Sequence, residues 1–461
     1  MTQIPAPVAP PPSRVAPAPS PRPSPPRGRG GEIGAACAPV AASAPSAPLA
    51  LPLPPVGGEG RGEGVGATGE GGGATADGAD WRAGGFGVYV HWPFCASKCP
   101  YCDFNSHVAK SAVDQRRWRA ALLSDLAAAR ARTGPRRADS VFFGGGTPSL
   151  MDPETVAAVI AQVDTLWGLA PGAEITLEAN PTSVEAGRFS AYAAAGVTRV
   201  SMGVQALNDA DLRALGRTHS VAEARAAFDI ARARFSRVSF DLIYARMGQT
   251  PQAWAAELRE ALAMAVDHLS LYQLTIEAGT RFGDLHARGR LSIPDDDSAA
   301  DMYLATQAVC AAAGLPAYEV SNHARPGAES RHNLIYWRYG DYVGVGPGAH
   351  GRVTGADGAR MATVEAADPA AWLRAVETRG DACEAEPLSG QEQAVEYLMM
   401  ALRLSEGADL DRFARLNGAP VAPERIAPLI SDGMARRDGA RLIATDAGRP
   451  VLNALLRALL A

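Results

Sequence analysis

The sequence predicts an α/β protein: a partial, TIM-like barrel of six strand–helix units, a C-terminal helical domain of winged-helix type, and a disordered N-terminal extension. Three observations carry that expectation. Short apolar runs alternate six times with amphipathic stretches between Phe86 and Thr275. Polar residues recur where those runs end. The composition changes abruptly near residue 83, from Pro, Ala and Gly to this alternating pattern.

The expected strands are FGVYVHW (86–92), SVFFGG (140–145), EITLEAN (174–180), RVSMGVQ (199–205), RVSFDLIY (237–244) and HLSLYQLT (268–275). Between them, apolar residues spaced three to four apart predict helices over 112–131, 153–168, 184–195, 208–214, 221–234 and 252–265. Strands joined by helices pair in parallel, with the helices outside. Six units fall short of the eight of a complete barrel, so the barrel should be open. These units occupy 84–280. Residues 281–385 read as a less regular connection, and 386–461 as three helices with a small hairpin. Residues 1–83 hold too few large apolar side chains to offset the entropy of ordering them.

A net charge of −5 argues against a general nucleic-acid binder, and no helix of the C-terminal domain carries a clear basic face. No run of 18 apolar residues occurs, so no membrane span is expected, and the location is expected to be cytoplasmic. Three of the six cysteines fall within eight residues, which suits metal ligation in a reducing compartment rather than a disulfide framework.

That trio lies in HWPFCASKCPYCDFNS, just after the first strand. Cys95, Cys99 and Cys102 can wrap one cubane iron–sulfur cluster. Three ligands for four irons leave one iron open, free to take the amine and carboxylate of S-adenosylmethionine. A structural zinc site would want four ligands. His91 or His107 could complete one, but Cys310 and Cys383 are distant. One strand later, FFGGGTPSL offers close backbone approach at Gly145 and Gly146 and a hydroxyl at Thr147. No GK[ST] follows, so it is not a P-loop. Glu178, Gln205, Arg217 and Asp241 then stand at or beyond later strand ends, where they could line one pocket. An acid within an apolar strand must be paired or bound to ligand.

From Tyr89 onward the chain resembles the anaerobic coproporphyrinogen III oxidase family of radical S-adenosylmethionine proteins, and is most similar to its haem-chaperone branch. The resemblance rests on YVHWPFCASKCPYCDFNS, FFGGGTPS, EANP, SMGVQ, LGRTH, FDLIY and HNLIYWRYGDYVGVGPGAH. It implies a [4Fe-4S] cluster on Cys95, Cys99 and Cys102. It also implies an S-adenosylmethionine site at Gly145, Gly146, Thr147, Glu178, Gln205, Arg217 and Asp241, with Tyr89 and Thr275 at its edge. One departure bears on the branch: the decarboxylating enzymes have a further cysteine soon after the third ligand, where this chain has Asp103 and Phe104.

His332, Tyr336 and Trp337 match the HNxxYW string of the haem-chaperone branch. His332 offers an imidazole, and the two aromatic rings could flank a porphyrin. The residues alone favour a loop packed against the barrel mouth, with the histidine bonded to backbone. The resemblance implies haem binding in this region, though not that His332 is the axial ligand. The function it implies is haem delivery to membrane respiratory proteins, with bacterioferritin as a candidate donor, peripheral membrane contact and a candidate homodimer. The alternative is oxidative decarboxylation of coproporphyrinogen III propionates.

Overall fold

The computed structural model describes residues 80–461. The expected extension therefore lies outside the described residues, except for its last four. Those four are packed: Asp80–Ala83 forms a single 3-10 turn, Asp80 accepts from Arg412 at 2.6 Å, and the Arg136 guanidinium lies 4.5 Å from the Trp81 ring centre.

Six parallel strands form the barrel: β1 (Phe86–Trp92), β2 (Ala138–Gly145), β3 (Leu169–Ala179), β4 (Arg199–Gln205), β5 (Arg237–Tyr244) and β6 (His268–Gln273). The connecting helices are α1 (Gln115–Thr133), α2 (Pro153–Trp167), α3 (Ser183–Ala186), α4 (Phe189–Ala194), α5 (Asp209–Ala214), α6 (Val221–Arg232) and α7 (Pro251–Met264). Local chemistry starts them. Asp114 caps α1 through the Arg117 N–H, and Ser220 and Glu223 form a reciprocal capping box on α6. The stretch expected as one helix over 184–195 is two short ones, separated by two residues.

Every residue of β1 is buried, as a strand covered on both faces requires. Val88, Val90 and Trp92 join the main apolar core, which the outer helices share through Trp118, Leu122, Val159 and Phe228. Tyr89, Phe142 and Ala349 form a separate cluster on the inner side. Alternation along the strand makes this division.

The region 281–385 is far more regular than expected. It holds α8 (Arg281–Ala287), α9 (Asp296–Ala312), β7 (Asn322–Ala324), α10 (Arg331–Trp337), β8 (Asp341–Val345), β9 (His350–Thr354), β10 (Arg360–Glu365), α11 (Pro369–Arg379) and β11 (Cys383–Pro387). The sheet runs β11-β10-β9-β8-β1-β2-β3-β4-β5-β6-β7. Strand β8 extends the parallel array beside β1, then β9 to β11 continue antiparallel. On the other side, β7 caps β6 antiparallel. The two ends of the sheet do not pair, so the barrel is open.

The last segment has its own core around Tyr397, Leu398, Phe413, Leu442 and Leu455. Helices α12 (Gly390–Ala401), α13 (Leu410–Asn417), α14 (Pro423–Ser431) and α15 (Leu452–Leu460) surround a small sheet. Its strands β12 (Ala408–Asp409), β13 (Ala435–Asp438) and β14 (Arg441–Ala444) run in the order β12-β14-β13. Helix, strand, two helices and a hairpin give the expected winged-helix arrangement.

Candidate functional site

The loop that leaves β1 is closed on itself. Phe94–Cys95 pairs in parallel with His107–Val108, and the Ala109 N–H donates to the Cys95 carbonyl at 3.2 Å. The closure holds the segment that carries all three expected cysteines at the C-terminal mouth of the barrel. Each sulfur has a polar neighbour. Thr147 Oγ1 donates to Cys95 Sγ at 3.4 Å, Arg217 Nη1 donates to Cys99 Sγ at 3.3 Å, and Ser106 Oγ lies 3.7 Å from Cys102 Sγ. All three cysteines line one cavity of about 490 Å³. No histidine lines it. His91 meets Tyr89 Oη at 3.0 Å and the Asn105 carbonyl at 2.9 Å, and His107 meets Asn105 Oδ1 at 3.0 Å. Neither imidazole completes a tetrahedron with the thiols.

The three glycines at the end of β2 are there because side chains would not fit. A Cβ on Gly145, whose φ is +111°, would meet His91 at 2.8 Å. One on Gly146 would meet the Phe94 carbonyl at 2.8 Å and Cys95 Sγ at 3.0 Å. The Gly-rich turn is thus pressed against the cysteine loop, and the Gly146 and Thr147 N–H groups donate to the Trp92 and Phe94 carbonyls at 2.7 and 2.9 Å.

Glu178 on β3 and Asp241 on β5 face the same cavity. Burial pushes the Glu178 carboxyl up to about 8, reinforced by the nearby Asp241 charge and opposed by the Gly145 N–H. Burial likewise pushes Asp241 up to about 6, opposed by the Ser270 and Ser201 hydroxyls and by Arg199. Gln205 ends β4 with φ +71°, a left-handed conformation rare outside glycine. Its buried Oε1 has no hydrogen-bond partner among the described residues. Arg217 reaches across the mouth: beyond Cys99, its Nη2 donates to Asn180 Oδ1 at 2.5 Å and to the Gly203 carbonyl at 2.9 Å.

The structure therefore brings Cys95, Cys99, Cys102, Gly145, Gly146, Thr147, Glu178, Gln205, Arg217, Asp241 and Thr275 to one cavity. Tyr89 does not line it. Its side chain points inward three residues below the strand end, where it bonds His91 and its ring centre lies 6.3 Å from that of Phe142. Asn180 is a site residue the sequence reading did not single out. It follows Glu178 by two in EANP, the same-face spacing of a strand, and that was the available signal.

The HNLIYW segment is not at the mouth. It forms α10, at the opposite end of the barrel. His332 is fully buried, with Nδ1 2.7 Å from Ser140 Oγ and Nε2 2.7 Å from Tyr336 Oη. Its ring stacks on Phe142 at 4.8 Å. The expectation of a loop against the mouth, with the histidine bonded to backbone, is corrected on both points. Trp337 lies under the Arg403 guanidinium, 4.6 Å from the ring centre, where α10 meets the C-terminal domain.

The cavity fits a thiolate-held cluster with a small polar ligand beside it. Three thiols line it, with no histidine and no further cysteine beside them among the described residues. The glycines open space against Cys95, and Gln205 Oε1 awaits a partner. Comparison with known proteins agrees. The profile of the radical SAM superfamily matches residues 89–261, and that of the HemN C-terminal domain matches 388–451. The chain is 37% identical to the heme chaperone HemW of Escherichia coli K12, over 81% of this chain and 98% of that protein. It is 38% identical to HemW of Mycobacterium tuberculosis H37Rv, over 81% and 95%. It is 40% identical to radical S-adenosyl methionine domain-containing protein 1, mitochondrial, of Bos taurus, over 81% and 87%. Among solved structures, the radical SAM enzyme coproporphyrinogen III oxidase (HemN) of Escherichia coli superposes with a TM-score of 0.68 at 21% identity, over 83% of this chain and 93% of that one. No described helix is long and apolar enough to cross a membrane.

Proposed function

The chain belongs to the HemW family of radical S-adenosylmethionine proteins, and on that premise we propose that it is a haem chaperone whose cluster and S-adenosylmethionine sit in the cavity at the barrel mouth. The observation that carries the proposal is likeness to HemW over 95–98% of those relatives' lengths, which takes in the C-terminal domain. The absence of a cysteine at Asp103 and Phe104, where decarboxylating enzymes have one, supports the same choice.

Cys95, Cys99 and Cys102 are the proposed cluster ligands. When bound, a [4Fe-4S] cluster supplies an iron open to the methionyl end of S-adenosylmethionine and an electron for its sulfonium. This chain's own residues bind and orient. The backbone of Gly145 and Gly146 lets the ligand approach closely, with the Thr147 hydroxyl fixing Cys95. Glu178 and Asp241 are acceptors for hydroxyl donors such as those of a ribose. Gln205 offers an amide to a polar edge. Arg217 locks the Gly216–Thr218 turn over the cysteine loop, where Gly216 packs so tightly on Pro100 that a Cβ would stand 2.6 Å from its Cδ.

Haem is the cargo. Its proposed receivers are haem-requiring membrane proteins, with a haem-storage protein of the bacterioferritin type as donor. The chain is placed in the cytoplasm, visiting the membrane surface without a span, and pairing of two copies during transfer belongs to the same reading. His332 has no free ring nitrogen in this conformation, so we place the axial ligand elsewhere.

The test is paired. Anaerobically reconstituted protein is loaded with haem and mixed with an apo-acceptor, and transfer is followed by absorbance. In parallel it is incubated with S-adenosylmethionine, reductant and coproporphyrinogen III, beside an active decarboxylase. Haem transfer without porphyrinogen turnover is expected. Multiple-turnover decarboxylation would replace the chaperone reading with the enzyme.

A further inference from the structure

A second cluster of ligating side chains lies away from the cavity, at the antiparallel end of the sheet. Glu365 ends β10 and Cys383 opens β11, and the register sets these two opposite each other. Asp381 stands two residues before Cys383. One donor atom from each of the three lies within 4.8 Å of the other two. None of them lines the cavity shared by Cys95, Cys99 and Cys102.

Two unpartnered oxygens point to a missing ligand. Glu365 is 2% exposed; its Oε2 accepts from the Trp372 indole at 3.2 Å, but its Oε1 has no hydrogen bond. That oxygen faces into the cluster, 4.0 Å from Arg132 Nη2. Asp125, fully buried on α1, accepts from the Gly346 N–H at 2.9 Å through Oδ2, while its Oδ1 has no partner. The Trp372 indole borders both carboxyl groups. Buried carboxylates left in this state cost free energy unless something pairs with them.

Arg132 does not close the balance. It pairs with Asp381 Oδ2 at 2.5 Å and is partly open to solvent. Three carboxyl groups and one thiol thus face a single guanidinium, a donor set with both oxygen and sulfur to offer a divalent cation. The thiol decides which cation. Calcium and magnesium prefer all-oxygen sites, whereas one sulfur with carboxylates suits a borderline ion of the zinc class.

We propose that Glu365, Asp381 and Cys383 form a binding site for a divalent ion of the zinc class, with Asp125 behind them as the buried carboxylate. Binding forms metal–oxygen and metal–sulfur bonds, releases the Cys383 thiol proton and the proton of the buried Glu365 carboxyl to solvent, and displaces the Arg132 guanidinium from Asp381. The ion ties the end of β10 to the start of β11. The site is independent of the haem reading.

The experiment uses holoprotein whose cysteine trio is already filled with iron and sulfide under anaerobic conditions. One equivalent of Zn²⁺ is added, the protein is desalted, and zinc is counted and examined by X-ray absorption. One zinc per chain is expected, with a single sulfur near ~2.3 Å and otherwise oxygen neighbours. Cys383→Ser and Asp381→Asn should each weaken retention at least tenfold, while iron, sulfide and the melting profile without zinc stay as in the parent. The proposal is overturned if the parent holds no more zinc than both variants, or if the zinc has three sulfur neighbours. Were Cys383→Ser to misfold, Asp381→Asn alone would decide.

Discussion

The two ends of the barrel are both polar inside, yet they differ in what their polar groups touch. At the floor, polar side chains bond chiefly to one another, with Arg199 Nε and Asn333 Oδ1 left unpaired among the described residues. Arg199 Nη2 meets Ser239 Oγ at 2.8 Å and His268 Nδ1 at 3.3 Å, Ser330 Oγ donates to Glu174 at 3.3 Å, and His332 spends both nitrogens on Ser140 and Tyr336. At the mouth, Gln205 Oε1 has no partner, and two carboxyls face each other across a cavity. Similar residue types therefore build a plug at one end and a ligand site at the other. Mutations should separate the two: mouth variants lose ligand and keep the fold, and floor variants do the reverse.

The largest effect is expected at the cysteine loop. Cys99→Ser should reduce bound iron to background after reconstitution and abolish S-adenosylmethionine binding by equilibrium dialysis. The melting of the C-terminal domain should be unchanged, because its core is separate. A Cys99→Ser protein that still holds a four-iron cluster would break the assignment of the mouth. Next comes Arg217→Met. It removes three contacts at once, to Cys99, Asn180 and the Gly203 carbonyl. Charge-assisted hydrogen bonds of this kind are worth about 1.5–3 kcal/mol each. S-adenosylmethionine affinity should fall by roughly ten- to a hundredfold, and Asn180→Ala should give the smaller part of that loss.

The sequence exposed the mouth better than the floor, for a physical reason. Parallel strands buried on both faces read as apolar runs, so β1, β4 and β5 were legible to the residue. Their mouth residues stand at the ends of those runs, where a polar side chain is conspicuous. Tyr89 lies outside the cavity because it stands inside a run, three residues short of the end. The floor was hidden because its partners come from far along the chain: Ser140 and His332 are 192 residues apart. Nothing local to HNLIYW says which strand it will meet. The strands of 281–385 were missed because they are short and mixed in character, as in HGRVT and CEAEP.

The floor prediction follows. His332→Ala removes a buried ring that stacks on Phe142 and leaves the Ser140 and Tyr336 hydroxyls unpaired. Unsatisfied buried groups and the cavity together should cost about 3 kcal/mol, read as a lower denaturant midpoint. S-adenosylmethionine affinity should stay within about twofold, and haem binding, followed by its absorption band, should persist. Loss of the haem band at unchanged stability would make His332 a ligand and erase the distinction between the two ends.

The smallest effect tests the carboxyl pair at the mouth. Burial raises Asp241 to about 6 and Glu178 to about 8, both above their ordinary values. The folded protein therefore holds protons that the unfolded chain has already released. Stability from this source is fully present below the unfolded-chain values of roughly 4, declines as pH rises toward the folded values of about 6 and about 8, and levels off above them. One proton sets a limiting slope of about 1.4 kcal/mol per pH unit, reduced here because Glu178 opens onto the cavity. In the absence of S-adenosylmethionine, Glu178→Gln should flatten the fall in denaturation midpoint between about pH 5 and 8. Subtracting the variant's profile from the parent's cancels the cysteines, which titrate in both. An identical slope in the two proteins would mean that Glu178 is already ionised at neutral pH, held by a partner as the floor residues are, and the contrast between the two ends would then rest on Gln205 and the thiols alone.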